Sequence, residues 1–565
     1  MQQAFESTAS NAPPARPPRA AATLVVVRNA PVGIEVLLLR RGESNDQASG
    51  AWVFPGGTVD KRDPEFYDCC AGIDDATASK QLGLPSGGLD YLIAALRECF
   101  EEAGLLYAND RDGQPVALSG DLARELGAWR VPLNNHERSL GEMCRQYGLT
   151  LAADRLVYFS HWLTPVGRPK RWDTRFFIAE APAGQEATHD ATEMVEQLWI
   201  SPADALARGA ALTLMNPTRI TLEAIQRFDT VEALLAWARA PREIALIMPR
   251  VAGGKEGPRP VMPNEYSWAE IGRLDPQGHG HASYDLVPGE PVRLSERVIR
   301  VTANNGSVMT GPGTNTYLVG GGERNEWAVI DPGPLDEEHL ETIVAAAPGP
   351  IRWIFATHTH KDHSPGAAPL ADRTGAPVYG LTPKYAEWQD ETFQPQHRLT
   401  GGERIVLNAG TTLRAIHTPG HASNHLCYLL EEEKTLFTGD HVMQSATVVI
   451  NPPDGDMAAY VASLRSLLDV ELDWLAPGHG FLMAQPRRAF EFIINHRLKR
   501  EAKVIDALRD LGPDASIDAL LAQVYDDVSP RLLAMATRSL KAHLYKLRDE
   551  ARAREIGERW TLIAA

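Results

Sequence analysis

Short runs of alternating apolar and polar positions, separated by Gly, Pro and Asp, fill the first 240 residues and predict strands joined by turns. Ala22–Val27 and Ile34–Leu39 read as a hairpin turning across Pro31-Val-Gly33, and Trp52–Phe54 as a strand leading into Gly56-Gly57. Helical spacing takes over from Tyr91 to Ala103, with Leu92, Ala95, Leu96 and Cys99 on its core-facing side. Between them, Lys61–Gly88 has no clear period and reads as an insertion. Leu156–Trp162 and Thr174–Ala179 form a second strand pair, followed by Trp199-Ile200 and helical segments to about Ala240. From Pro241 to Glu290 the composition shifts to Gly and Pro, which predicts a linker. Beyond Arg297 the strand pattern resumes at Thr316–Val319, Trp327–Ile330, Ile351–Ala356, Val378–Gly380, Leu413–His417, Leu426–Leu430 and Thr435–Thr438. Helical spacing falls between these at Glu338–Ala345 and Tyr460–Leu468, which suits two packed sheets with helices outside. The remainder is helical, over Ala502–Leu511, Ile517–Val524 and Leu532–Ala551, and closes on a strand-like Trp560–Ile563.

These runs divide the chain into a lead-in over 1–21 expected to be disordered, an α/β domain over 22–240, a linker over 241–290, a second α/β domain over 291–495 and a winged-helix-like tail over 496–565. At 565 residues, two to four domains are expected. A formal net charge of −17 argues against a chain that coats nucleic acid or anionic membrane. The tail is nearly neutral, with 13 Lys/Arg against 12 Asp/Glu over residues 491–565. Five cysteines without C-x-x-C spacing indicate a reducing compartment, and no apolar run is long enough for a spanning helix. The lead-in lacks the apolar stretch of a secretory signal, so a cytoplasmic location is expected.

The densest chemistry lies in Thr357-His-Thr-His-Lys-Asp-His-Ser-Pro-Gly366, which contains H-x-H-x-D-H: His358, His360, Asp362 and His363. These side chains follow a buried-strand pattern and would emerge on the loop at its end. Imidazole with carboxylate suits zinc- or iron-type cations better than magnesium. Three later pieces add donors: His417-Thr-Pro-Gly-His421, Thr438-Gly-Asp440-His441 and Pro477-Gly-His479-Gly480. Taken together they resemble the metallo-β-lactamase superfamily over roughly 290–495, which implies an αββα sandwich. The resemblance implies that His358, His360 and His421 bind one ion, and that Asp362, His363 and His479 bind another. Asp440 would bridge two Zn2+ (or Fe or Mn), with a hydroxide between them attacking an ester, thioester or phosphodiester. Serum-type zinc β-lactamases commonly carry cysteine at the bridging position, so the pattern is closer to glyoxalase II-like thioesterases and to metallo-nucleases. His417 and His425 are candidates for supporting a ligand or touching substrate. Gly311-Pro-Gly-Thr-Asn-Thr-Tyr317, His496-Arg-Leu-Lys-Arg500 and the helical tail also resemble relatives of a mitochondrial single-strand endoribonuclease. A basic strip of Arg497, Lys499, Arg500 and Lys503 is one candidate contact for nucleic acid; a solvated helix face is the plainer reading. His279 and His281, in the Gly-rich linker, are expected to face solvent.

A second constellation is Arg97-Glu98-Cys-Phe-Glu101-Glu102-Ala-Gly104 on the helix of the first domain. Glu101 and Glu102 follow Glu98 at i+3 and i+4, so three carboxylates share one face, where they repel unless a cation joins them. Arg97, four residues before Glu101, would orient it as an ion pair. With Phe54-Pro-Gly-Gly57 upstream, this resembles the Nudix box, interrupted here by an insertion that leaves 39 residues between Gly57 and Arg97. Trp162-Leu-Thr-Pro165 and Arg171-Trp-Asp-Thr-Arg-Phe-Phe177 make it look like the branch that includes peroxisomal coenzyme A diphosphatases. The family's upstream glutamate has no clear counterpart, and Asp60 or Asp63 is the candidate substitute. The resemblance implies an α/β/α sandwich in which Glu98, Glu101 and Glu102 hold Mg2+ or Mn2+ on a diphosphate, with Gly57 and Arg97 at the site. Arg171 and Arg175 would clamp the leaving phosphate.

The expectation is therefore a bifunctional metal-dependent hydrolase acting on small nucleotide or acyl-CoA substrates. Its Nudix half would cleave a nucleoside-diphosphate-linked compound such as coenzyme A or acyl-CoA, and its other half a thioester or ester. Two alternatives stand beside it: the second half is a single-strand endoribonuclease, or the Nudix half senses a nucleotide without catalysis.

Overall fold

The structure, a computed structural model, describes residues 17–43, 49–385, 387, 389–444 and 447–563. The chain divides into two compact units, Met1–Pro249 and Arg250–Ala565.

The first unit is built on an eight-stranded mixed sheet. Its central strand, Arg19–Asn29, pairs parallel with Trp172–Glu180 and antiparallel with both Ile34–Arg41 and Gly56–Thr58. The hairpin closes where expected, with Asn29 opposite Ile34 and Gly33 at φ +72°. Of the lead-in expected over 1–21, residues 1–16 lie outside the described residues. The strand itself begins at Arg19, because the Arg19 amide donates to the Arg171 carbonyl and Ala21 pairs with Thr58. The insertion is not shapeless: it holds a 3-10 turn, Asp63–Cys69, and a helix, Asp75–Leu82, capped by Asp74. The Asp75 carboxylate accepts the Gly87 and Leu89 amides at the start of the next helix, Gly88–Ala103. That helix buries Leu92, Ala95, Leu96 and Cys99 against Leu24, Val26 and Leu37 of the sheet.

In the second unit, a seven-stranded sheet from Val292–Arg293 to His397–Arg398 faces a six-stranded sheet from Arg404–Asn408 to Met483–Ala484. Tyr317, Ile330 and Phe355 from the first meet Leu413, Tyr428 and Phe437 from the second in a shared core. Helices Glu337–Ala346 and Ala367–Thr374 cover one outer face, and Met457–Leu467 with Pro486–Leu511 cover the other.

Most of the stretch expected as linker is folded into this unit. Arg250–Ala252 pairs with Arg259–Val261, and Ala252, Val261, Ile271 and Ala282 form a small core. Glu270 joins Arg300 in a bidentate pair at 2.6 and 2.9 Å, both side chains buried, and accepts the Leu482 amide at 2.7 Å. Gly and Pro here serve tight turns around that pair. The border expected between 495 and 496 falls inside one continuous helix, Pro486–Leu511. The tail adds helices Ile517–Val524 and Leu533–Asp549 and a three-stranded sheet in which Arg559–Leu562 lies between Ala515–Ser516 and Ala553–Ile556.

Candidate metal centres

The donors of the second unit converge from four loops at one end of the two sheets. His358, His360, Asp362 and His363 follow the strand Ile351–Phe355; Asp440 follows Thr435–Gly439, and His479 follows Trp474–Pro477. They form two clusters, His358/His360/His421 and Asp362/His363/Asp440/His479, each with donor atoms within 4.8 Å of one another. His360 Nδ1 lies 2.9 Å from His358 Nε2 and 3.0 Å from His421 Nε2. Asp440 spans both clusters: Oδ1 is 3.4 Å from His363 Nε2 and 3.2 Å from His479 Nε2, and Oδ2 is 3.7 Å from His421 Nε2.

The other ring nitrogens are tied outward, which fixes each imidazole. His363 Nδ1 is 2.9 Å from Asp331 Oδ2, while His421 Nδ1 donates to the Val449 carbonyl and His479 Nδ1 to the Gly313 carbonyl. Asp331 also accepts the Thr357 amide and hydroxyl, at φ +52°. Sequence reasoning missed it, although an Asp at the end of an apolar strand before Pro332-Gly333 is a turn signal. Gly478 is required by the crowding: a Cβ there would lie 2.8 Å from Asp440 Oδ1.

Burial lowers His360 to about 3, helped by His421 beside it, and drives His358 well down, helped by His363 and His360. Burial also opposes charge on His479, but the Asp440 and Asp362 carboxylates more than offset it and raise this imidazole to about 9. His358 and His360, kept neutral, face one another through their ring nitrogens and need a cation between them. Among the described residues, buried His363 Nε2, His479 Nε2 and Asp440 Oδ1 have no hydrogen-bond partner, and these residues therefore fit bound metal.

His425 does not reach the substrate side. It is fully buried, bonded to Thr418 and stacked on His358 at 5.1 Å, behind the ligand. His417 is exposed and contacts the Ser423 carbonyl. His279 and His281 are exposed as expected, and their amides wrap the Asp275 carboxylate. The basic strip is divided between the interior and surface ion pairs. Arg497 is buried and donates to the Val448 carbonyl, Arg500 pairs with Asp527 and Lys503 with Asp526.

In the first unit Arg97 is the hub. It donates to Glu98 at 2.8 Å, Glu101 at 3.0 Å, Asp63 at 3.2 Å and the Thr58 carbonyl at 2.9 Å. Asp63, from the insertion, is fully buried, and Asp60 caps it through its amide. Glu102 accepts the Gly56 amide at 2.9 Å, and a Cβ on Gly57 would lie 2.4 Å from the Glu98 carboxylate. Glycine there follows from the Glu98 carboxylate resting on the backbone. The three carboxylates lie on one face of the helix Gly88–Ala103, with Arg97 bonded to both Glu98 and Glu101, and Glu98 and Glu102 beside the glycines. Burial raises Glu101 to about 7 and Asp63 to about 6, against the pull of Arg97, and drives Glu102 well up, with Glu98 adding to the rise. Buried, crowded carboxylates of this kind fit a hard divalent cation. Arg175 does not stand as a phosphate clamp: it is buried, paired with Asp173 and His161, and lies over Tyr91 at the far end of the helix. Arg171 donates to the Thr164 carbonyl.

A relative described as "Beta-lactamase-like protein 2 homolog" from Caenorhabditis elegans is 32% identical over 267 residues, spanning 46% of this chain and 86% of that protein. The chain belongs to the metallo-beta-lactamase superfamily. The profile of that superfamily matches residues 309–479, "NUDT19 Nudix domain" matches 72–214, and "Beta-lactamase associated winged helix domain" matches 516–560. This member of the superfamily is therefore a multidomain hydrolase with a Nudix domain ahead of the metallo-beta-lactamase domain and a winged-helix domain after it. The first and second of these domains imply use of divalent metal. An atrochrysone carboxyl ACP thioesterase from Aspergillus chevalieri is 36% identical over 222 residues, covering 39% of this chain and 68% of that enzyme. The crystal structure of a NUDIX hydrolase from Alicyclobacillus acidocaldarius is 27% identical, covering 39% of this chain and 96% of its own, with TM-score 0.33. Among the described residues, no helix is long and apolar enough to cross a membrane.

Proposed function

We propose that the metallo-beta-lactamase half hydrolyses an acyl thioester and the Nudix half a diphosphate, with coenzyme A species as the substrate class shared by both. The observation that carries the first assignment is Asp440, whose two oxygens face two separate donor clusters. The relative named as an ACP thioesterase supports a thioester over a lactam. His358, His360 and His421 would hold one cation, Asp362, His363 and His479 the other, and Asp440 both. Cations bound there would supply Lewis-acid polarisation of the carbonyl and activation of a water. The protein's own part is orientation. Asp331, Val449 and Gly313 each fix one imidazole so that its free nitrogen faces inward. The cavity over these residues, about 270 Å³, admits a narrow chain with Met309, Tyr385 and Val449 as apolar wall.

In the Nudix half, Glu98 and Glu102 would hold Mg2+ or Mn2+, and Arg97 keeps Glu101 and Glu98 aligned. A cation there would neutralise charge on the diphosphate and activate a water. Glu101, poised near neutrality by burial, is the residue suited to take a proton. The test is one preparation of the metal-loaded protein assayed on acyl-CoA, coenzyme A diphosphate cleavage and single-stranded RNA. Thioester cleavage and diphosphate cleavage are expected. Cleavage of RNA alone would replace the thioester reading with the nuclease one, and absence of diphosphate cleavage would leave the Nudix half a sensor.

A further inference from the structure

The turn Asp275-Pro-Gln-Gly-His-Gly-His281 gathers donors that neither metal centre uses. It follows the helix Trp268–Leu274, whose Ile271 belongs to the small core of the second unit. The Asp275 carboxylate is 7% exposed and accepts three backbone amides: His279 on Oδ1 at 2.9 Å, Gly280 on Oδ2 at 2.6 Å and His281 on Oδ2 at 3.2 Å. Gly280, at φ +81°, lets the chain curl so that successive amides reach one carboxylate. The same curl brings the exposed side chains of His279 and His281 together, with ring centroids 5.5 Å apart. One nitrogen from each ring and one carboxylate oxygen lie within 4.8 Å of one another, the spacing that also marks the two clusters around Asp440.

Little else occupies these three groups. Among the described residues, no Lys or Arg pairs with Asp275, and neither imidazole side chain has a hydrogen-bond partner. A carboxylate has about four lone-pair positions, and three amides leave one open on Oδ1. A carboxylate charge held this far from water favours a positive partner, which amide dipoles replace only in part. Two imidazoles with one carboxylate suit a zinc-class ion and not magnesium. With three protein donors, two of them on the surface, the remaining coordination positions fall to water.

We propose that Asp275, His279 and His281 form a third, exchangeable site for a zinc-class cation, sharing no ligand with the centre around Asp440 or with the Nudix carboxylates. The test uses the full chain, loaded with metal and then desalted so that loosely held ions leave. Excess Mg2+ is kept present to compete for the carboxylates of the first unit. Equilibrium dialysis against Zn2+ should then show one further equivalent, half filled at about micromolar free zinc, weaker than a closed set of four donors would give. His279→Ala and His281→Ala should each weaken that equivalent about tenfold or more while the tightly held ions stay. Both side chains are exposed and Asp275 is held by backbone amides, so either variant keeps the turn. His397→Ala, which removes an exposed imidazole elsewhere in the unit, should change nothing. The assignment is overturned if wild type takes up no further equivalent by about 100 µM free zinc. It is equally overturned by an equivalent that both His279→Ala and His281→Ala leave unchanged, or one that His397→Ala removes.

Discussion

Asp440 and Glu101 carry the most chemistry per atom, and each makes a separate demand. On the proposed binuclear reading Asp440 would offset repulsion between two cations, so Asp440→Asn is expected to weaken metal loading and lower turnover together. The fall should be two or more orders of magnitude, on the scale of the ~3 kcal/mol that one electrostatic catalytic contact supplies. Metal analysis alongside kinetics checks it, and near-normal values for both would leave His358, His360 and His421 as a mononuclear site. Glu101 makes a claim about pH. Its carboxyl holds a proton to about 7 in the folded chain against 4.5 for a free side chain. Between those values the folded state binds more protons than the unfolded one, so stability falls as pH rises. In metal-stripped protein, Glu101→Gln should flatten that slope between pH 4.5 and 7, read as hydrogen exchange in the helix Gly88–Ala103. An unchanged slope would mean that the buried carboxyl ionises freely. At this scale the sequence was legible where donors crowd into one run, as from His358 to His363. It was silent on Asp331, a lone carboxylate whose role depends on a loop 26 residues away reaching it, and it could neither rule out Arg175 as a phosphate clamp nor choose between support of a ligand and contact with substrate for His425, because no spacing reveals their burial.

Among the elements, the most instructive is the stretch 250–290, whose Gly and Pro content pointed to a linker. Composition reports turns, but not whether the turns enclose something. Here they enclose Glu270, buried against Arg300. Glu270→Ala would leave Arg300 charged and unpaired in the interior, with an expected loss of about 3–5 kcal/mol. Urea unfolding of the metal-loaded protein would show it, and a change below about 1 kcal/mol would mean that the pair is replaceable by water. The strands and helices of both sandwiches were legible because their apolar periods are strong. The insertion was not, since its short helix depends on the cap at Asp74, and its tie to the next helix on Asp75, more than on a repeating face.

Taken whole, the molecule sets two unrelated donor sets in two units, one of carboxylates and one of imidazoles with carboxylates. Glu102→Gln should abolish magnesium-dependent diphosphate cleavage and leave close to two transition-metal ions bound per chain. Elemental analysis of wild type and variant tests both parts at once, and loss of those ions in the variant would reveal shared ligands. The order of domains could be read from motifs alone, whereas the merging of the last two could not, because one helix from Pro486 to Leu511 carries no break to mark it. That helix has a consequence for synthesis. A chain leaving the ribosome presents its histidines long before Arg497 pins Val448 and the helix Leu533–Asp549 reaches the cavity wall. Domains of a nascent chain fold in order as they emerge, at roughly 5–20 residues per second. The sandwich would thus wait several seconds, assembled but without its finished site, and a message truncated before residue 533 would yield a protein that keeps its first unit whole and lacks one wall of the cavity in its second.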